Sequence, residues 1–249
     1  CIPTTAGTAS EVSRSVVITD DEKGLKHGLG NMEMMPDIAI DDPEVTVFLP
    51  PHITAETGMD ALTHALEALV SNRANYLSDI LAIPAALDII RMLPIAYANG
   101  KDMDAREMML NASMTAGLAF TNVSLGIVHS LAQTIGGYFH ISHGLADAII
   151  LPYIIRYNAA VPYADKKYRD LAAKFGKTDL SEIVDDLNRR LHIPSTLREP
   201  LQEEARFESL IPEMAVTAKN DGCTKTNPII PDVNEFAELL KRCYYGEEK

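Results

Sequence analysis

The chain has 249 residues, 47% of them hydrophobic and 23% charged, enough for one large or two modest domains with a substantial core, and not the composition of a disordered chain. Its formal charge of -13, from 22 Lys+Arg against 35 Asp+Glu, argues against nucleic acid or an anionic membrane as the main partner, since both need a basic surface. Cys1, Cys223 and Cys243 are too few and too far apart for a disulfide framework or a zinc finger, and they fit a reducing, cytoplasmic setting.

The chain opens on Cys1 with no signal-peptide pattern. An apolar turn sequence follows at once, where a lipoprotein would carry a polar tether, so the chain reads as truncated. After the small, hydroxyl-rich run Pro3-Thr4-Thr5-Ala6-Gly7-Thr8, the β-branched stretch Val16 to Thr19 predicts a strand. Asp20-Asp21-Glu22-Lys23-Gly24 is a charged turn, and the partly alternating residues 37–42 predict a second strand. Pro50-Pro51 is the best boundary: strand signals lie before it and helical signals after it. It separates residues 1–51 from 52–249.

From Thr54 onward helices dominate. Their expected spans are Ala55 to Asn72, Leu77 to Leu93 with a kink or break at Pro84, Ala105 to Phe120, Leu125 to Gly137 stopped by Gly136-Gly137, and His143 to Asn158 capped by Ser142. Tyr163 to Phe175, Leu180 to Leu191, Pro200 to Ala218 and Val233 to Tyr245 complete the series. The fold class is therefore mainly α, with a short β region in front. Methionines 103, 108, 109 and 114 read as core filler. No apolar run reaches the ~20 residues of a membrane span; the nearest, Leu81 to Ala98, contains Asp88 and Arg91.

The first helix carries the chemistry. In Gly58 to Ser71 the apolar residues Met59, Leu62, Leu66, Leu69 and Val70 recur three or four apart and form a buried stripe. Asp60 and His64 leave the same face one turn apart. An i,i+4 Asp–His pair is ordinarily a surface ion pair contributing a few tenths of a kcal/mol, so its meaning depends on further ligands. His129 lies in the apolar run Gly126-Ile127-Val128-His129, and His143 opens the next helix. A tight glycine turn between these helices would let both imidazoles face the first. One carboxylate and three imidazoles suit zinc or divalent iron and not magnesium or calcium. Spacing alone leaves a second reading open, that of satisfied core histidines and a surface pair. His27, His52 and His192 lie in polar or turn contexts and read as solvated.

Three motifs, Pro3-Thr4-Thr5-Ala6-Gly7-Thr8, Thr57-Gly58-Met59-Asp60-Ala61-Leu62-Thr63-His64, and Gly126-Ile127-Val128-His129 followed by His143-Gly144, together resemble the iron-containing (group III) alcohol dehydrogenase family in order and separation. The tail Asn220-Asp221-Gly222-Cys223-Thr224 with Asn227-Pro228 is similar to that family's last loop before its closing helix. The resemblance spans nearly the whole chain. It implies that residues 1–51 are a remnant of an α/β dinucleotide-binding domain and residues 52–249 an all-helical metal domain. It implies a metal held by Asp60, His64, His129 and His143, with Fe2+ ahead of Zn2+, and a cofactor cleft for NAD or NADP lined by Thr4, Thr8 and Lys26. The activity implied is interconversion of a small alcohol and its aldehyde or ketone, with a homo-oligomer as a further partner and no nucleic acid or membrane.

Two departures from the family pattern stand out. The glycine-rich pyrophosphate loop is missing. Where many members carry a second histidine one turn after the third ligand, this chain has Gln133, which cannot shuttle a proton near neutral pH. His140 is the candidate substitute. Phe120 matches a family position near the substrate, or is a plain core aromatic; Met59 and Leu62 are core. The alternatives are an inactive helical metal-binding fragment and a lyase or cyclase on the related dehydroquinate-synthase-like scaffold. For the latter, no lysine–glutamate cluster accompanies the histidines.

Overall fold

The computed structural model describes residues 1–20 and 25–247, and the side chains of all of these except 19, 20 and 25–27. Strands β1 (Ser15–Asp20) and β2 (Leu25–Gly30) form a two-stranded sheet, and the remainder is mainly helical. The charged turn expected over 20–24 lies, beyond the backbone of Asp20, outside the described residues. β1 falls where the β-branched run predicts it. The second strand expected at 37–42 does not form there. Ile38 and Ile40 are 67% and 51% exposed, so this segment buries no face. Its backbone instead meets Cys1: Ile38 O accepts from the Cys1 amino group at 2.7 Å, and Ile40 N–H donates to Cys1 O at 3.0 Å.

The chain divides into two compact units, Cys1–Ile18 with His27–Ser124 and Thr19–Lys26 with Leu125–Lys249. In the first unit α1 (Pro51–Val70), α2 (Tyr76–Ala98) and α3 (Met103–Val123) pack pairwise. α1 starts at Pro51, whose missing N–H is harmless in a first turn. Every residue from Gly58 to Val70 is buried. A stripe was expected; the helix is instead enclosed on all sides, the mark of a central helix. Gly58 allows this, because a Cβ there would run into the Leu93 side chain of α2.

An Asn75–Ser78 capping box opens α2, which runs through Pro84 and Pro94 without a break at Pro84. The carbonyl that Pro84 leaves without a donor belongs to Ile80, a residue 49% exposed, where water can serve it. By length and composition α2 does reach what a membrane span needs, contrary to expectation; in this fold it packs against α1 and α3. α3 is capped by Asp102, which accepts from Ala105 N–H at 3.0 Å. Its buried face includes a run of small residues (Ala112, Ala116, Gly117, Ala119) beside Met109, Leu110 and Phe120, and a Cβ on Gly117 would collide with Ala9 and Val12. Close approach therefore leaves no room for the methionine stripe: only Met109 is in the core, while Met103 and Met108 are each 38% exposed.

In the second unit, α4 (Ile127–Phe139) passes the expected stop at Gly136-Gly137 and ends at His140, which is left-handed at φ 56°, ψ 24°. Tertiary contact overrides the glycines: the Phe139 ring lies 6.0 Å from Phe207, with the Arg206 guanidinium 4.9 Å above it. α5 (His143–Asn158) has the expected bounds, though Ser142 caps it without a side-chain hydrogen bond. α6 (Pro162–Ala173) and α7 (Leu180–Arg190) follow. The single helix expected over 200–218 is two, α8 (Arg198–Leu201) and α9 (Glu204–Asn220), parted by left-handed Gln202. α10 (Val233–Tyr245) closes the chain behind an Asp232–Glu235 capping box. α5 packs against α4, α7 and α10, and α9 against α4 and α10. Phe207 stacks on Tyr244 at 4.0 Å within this core.

Candidate metal centre

α1 holds the first pair of candidate ligands. Asp60 and His64 are each 5% exposed, which excludes the surface ion pair. Their Oδ1 and Nε2 atoms lie 3.5 Å apart. The other ring nitrogen, Nδ1, is 3.2 Å from the Gly7 carbonyl oxygen. A carbonyl only accepts, so Nδ1 carries the proton and the ring lone pair sits on Nε2, the atom beside Asp60. Fixing a tautomer through a backbone carbonyl is the usual way a protein prepares a ligating imidazole. Gly7 is suited to the task, since the loop lies against α1: a Cβ there would be 2.8 Å from Thr57 Cβ and 2.9 Å from Thr57 O. The Phe120 ring, 8% exposed, covers His64 at 4.5 Å between centroids. Met59 and Leu62 are fully buried core residues.

The second unit holds the other two candidate imidazoles. His129 is near the start of α4 and 2% exposed; His143 is the first residue of α5. Their rings meet edge to face at 5.3 Å. No glycine turn brings them together. From His129 to Phe139 α4 climbs about 15 Å, and the four steps to His143 can span about 14 Å, so the 140–142 link returns the chain alongside His129. Left-handed His140 makes that reversal.

A third residue of the second unit joins His129 and His143. Asp147, one turn into α5, is fully buried, and its Oδ2 is 3.2 Å from His143 Nε2. One ligand atom from each of His129, His143 and Asp147 lies within 4.8 Å of the others. Sequence reasoning passed over Asp147 inside an apolar helix. The available signal was the His-x-x-x-Asp spacing, the reverse of Asp-x-x-x-His in α1.

The donors suit a divalent metal. Each pair couples an imidazole nitrogen to a carboxylate oxygen, at 3.5 Å in Asp60–His64 and 3.2 Å in His143–Asp147, the donor types that iron and zinc accept. The start of α4 is braced as a ligand-bearing element requires. Ile127 N–H donates to Asn227 Oδ1 at 3.3 Å, and Asn227 Nδ2 donates to Asn158 Oδ1 at 2.8 Å. Ser130 Oγ donates to Asp221 Oδ1 at 3.1 Å, and Thr226 Oγ1 to Leu125 O at 2.6 Å. The 220–228 tail thus fastens the turn of α4 that carries His129, a role its sequence did not disclose.

The remaining candidates are not gathered by these contacts. Thr4 and Thr8 are exposed, Thr8 Oγ1 accepting from Ser10 N–H at 3.4 Å. The side chain of Lys26 lies outside the described residues, as does that of His27. His140 is exposed and Gln133 half-buried. His52 and His192 are exposed, as expected.

Residues 54–244 match the family model for the C-terminal part of the Fe-containing alcohol dehydrogenases, and residues 1–43 match the model for iron-containing alcohol dehydrogenase. The chain is 43% identical to the 1-propanol dehydrogenase PduQ of Salmonella typhimurium, over 96% of its own length and 68% of the relative's. It is 39% identical to an NADPH-dependent butanol dehydrogenase of Clostridium saccharobutylicum, over 99% and 65%. An iron-containing alcohol dehydrogenase structure from Thermococcus thioreducens superposes with a TM-score of 0.92 at 35% identity, over 99% of this chain and 64% of that one. The chain therefore spans about two thirds of the length of these relatives.

Proposed function

Because the chain belongs to the iron-containing alcohol dehydrogenase family, we propose that it serves an oxidoreductase interconverting a small alcohol and its aldehyde or ketone, with NAD or NADP as hydride carrier. Asp60, His64, His129 and His143 are the proposed ligands of one divalent ion, Fe2+ ahead of Zn2+. The observation that carries this reading is the 3.2 Å contact of His64 Nδ1 with the Gly7 carbonyl oxygen, which leaves Nε2 beside Asp60 as a donor in a water-poor core. When bound, the metal supplies Lewis acidity toward the substrate oxygen, and the nicotinamide supplies the hydride chemistry.

The chain's own residues do the rest. Gly7 orients the His64 ring, and Phe120 keeps water from it. Thr4 and Thr8, on the exposed loop before β1, are the proposed hydroxyl contacts to the cofactor, with Lys26 as a cationic one. Residues 1–51 are assigned to the nucleotide-binding domain and 52–249 to the metal domain. His140, exposed at the end of α4, is the proposed group that passes a proton to solvent in place of Gln133. A cytoplasmic setting and a homo-oligomer belong to the same proposal. Family membership sets aside the lyase alternative.

The test is metal content. Purified anaerobically without added metal, the chain is expected to hold close to one divalent ion, and His129→Ala to lose it, by elemental analysis. A metal-free wild type, or a variant that keeps its metal, would overturn the reading. Alcohol oxidation with NAD+ or NADP+ is the second arm: a metal-loaded chain that turns over no alcohol would be the inactive helical metal-binding fragment instead.

A further inference from the structure

We propose that Asp147 is itself a metal ligand, so that the second unit brings two imidazoles and a carboxylate to the ion; this rests on the ligand set proposed above. The geometry is that of a shared coordination shell. Two ligands on opposite sides of an ion with bonds of about 2.1–2.4 Å are about 4.2–4.8 Å apart, and the donor atoms of His129, His143 and Asp147 lie within 4.8 Å of one another. Asp147 is also fully enclosed, whereas the His143 side chain beside it is 33% exposed. Burying an ionised carboxylate costs several kcal/mol unless strong opposing charge meets it, and a divalent ion provides that charge.

The simpler role would be to orient His143. In that case the 3.2 Å contact is a hydrogen bond from the proton on His143 Nε2, and Nδ1 becomes the ligating atom. With Asp147 as a ligand, Nε2 and Oδ2, 3.2 Å apart, would both serve as donors to the ion. The two roles differ in consequence. A second carboxylate with Asp60 cancels the charge of a divalent ion, and a mixed oxygen–nitrogen set of five donors exceeds the four of a closed tetrahedral zinc site. Asp147 therefore tilts selectivity from zinc toward iron.

Asp147→Asn keeps shape and an acceptor oxygen, so it spares an orienting role and removes a ligating one. Iron and zinc affinities are measured by chelator competition, with thermal melting of the metal-free proteins as the control for folding. Expected is a loss of Fe2+ affinity of more than about 100-fold, beyond the roughly 10–100-fold that outer partners of a ligand contribute, and a zinc-to-iron preference raised at least about tenfold. A loss of about 100-fold or less overturns the proposal. Should the variant fail to fold, the crystal structure of the iron-loaded wild type decides: an Asp147 oxygen about 2.0–2.2 Å from the ion supports ligation, and one beyond about 3 Å overturns it. If Asp60→Asn and His129→Ala also bind iron like the wild type, the ligand set itself has failed, an outcome distinct from failure at Asp147 alone.

Discussion

α1 and α5 carry the same two side chains at the same spacing in opposite order, Asp60–His64 and His143–Asp147, and support them differently. On α1 both partners are 5% exposed, and the imidazole is oriented by the carbonyl of Gly7, 57 residues away in the chain. On α5 the histidine stands at the first residue, partly open, while the acid one turn further in is fully enclosed. The first pair depends on a remote loop. The second is contained in a single turn of helix. The two candidate pairs are thus prepared differently, one by long-range packing and one by position within a helix; spacing disclosed the first pair, while the second was read only at His143.

The largest expected effects treat both pairs alike. His64→Ala and His143→Ala should each lower metal affinity well beyond the roughly 10–100-fold range of outer partners, measured by chelator competition; a mild loss in either would break the symmetry. Gly7→Ala separates the pairs. The added methyl pushes the loop off Thr57, so the Gly7–His64 hydrogen bond is lost and metal affinity should fall roughly 10–100-fold. A Gly7→Ala protein with unchanged affinity would mean that α1 needs no remote support.

Glu11 tests the same loop more gently. It is 2% exposed, and burial, followed by the nearby Asp41 carboxylate, raises its pKa above 4.5. A raised carboxyl pKa leaves the folded state holding a proton that the unfolded chain has released, so its contribution to stability falls as pH rises through that window. Glu11→Gln removes this penalty. Its melting temperature should exceed the wild type's at pH 7 by a few degrees, with the gain vanishing below about pH 4.5. Equal gains at both pH values would refute the assignment. The smallest effect lies in the second unit, where the Tyr244 hydroxyl is buried with no hydrogen-bond partner among the described residues. Tyr244→Phe should change stability by less than about 1 kcal/mol, in the stabilising direction, by denaturant melting. A marked loss would reveal a partner for that hydroxyl.

Helical periodicity made most of the fold legible. α5 and α10 have the bounds read from sequence, because a start signal and a strong apolar pattern coincide there. What was missed depends on distant contacts. Phe139 carries α4 past two glycines because Phe207 and Arg206 receive its ring. α3 turns its alanines inward, and Met103 and Met108 outward, where a loop closes on Gly117. β2 forms in a segment, LKHGLG, with none of the β-branched residues that predict strands. The candidate ligands Asp60, His64, His129 and His143 were visible as isolated polar residues in apolar runs. Asp147 met the same description but was absorbed into the apolar centre of its helix, since one carboxylate there counts little against ten neighbours.

The hydrogen bond from His64 to Gly7 has a consequence for how binding events communicate. Gly7 lies between Thr4 and Thr8, the residues proposed to meet the nucleotide, so the His64 ring would join that loop to the proposed ion. Thermodynamic reciprocity then applies: by whatever factor an ion at Nε2 steadies the loop for the dinucleotide, the dinucleotide steadies the ring for the ion. Loss of metal from such an enzyme would be felt first as a slackened grip on its coenzyme.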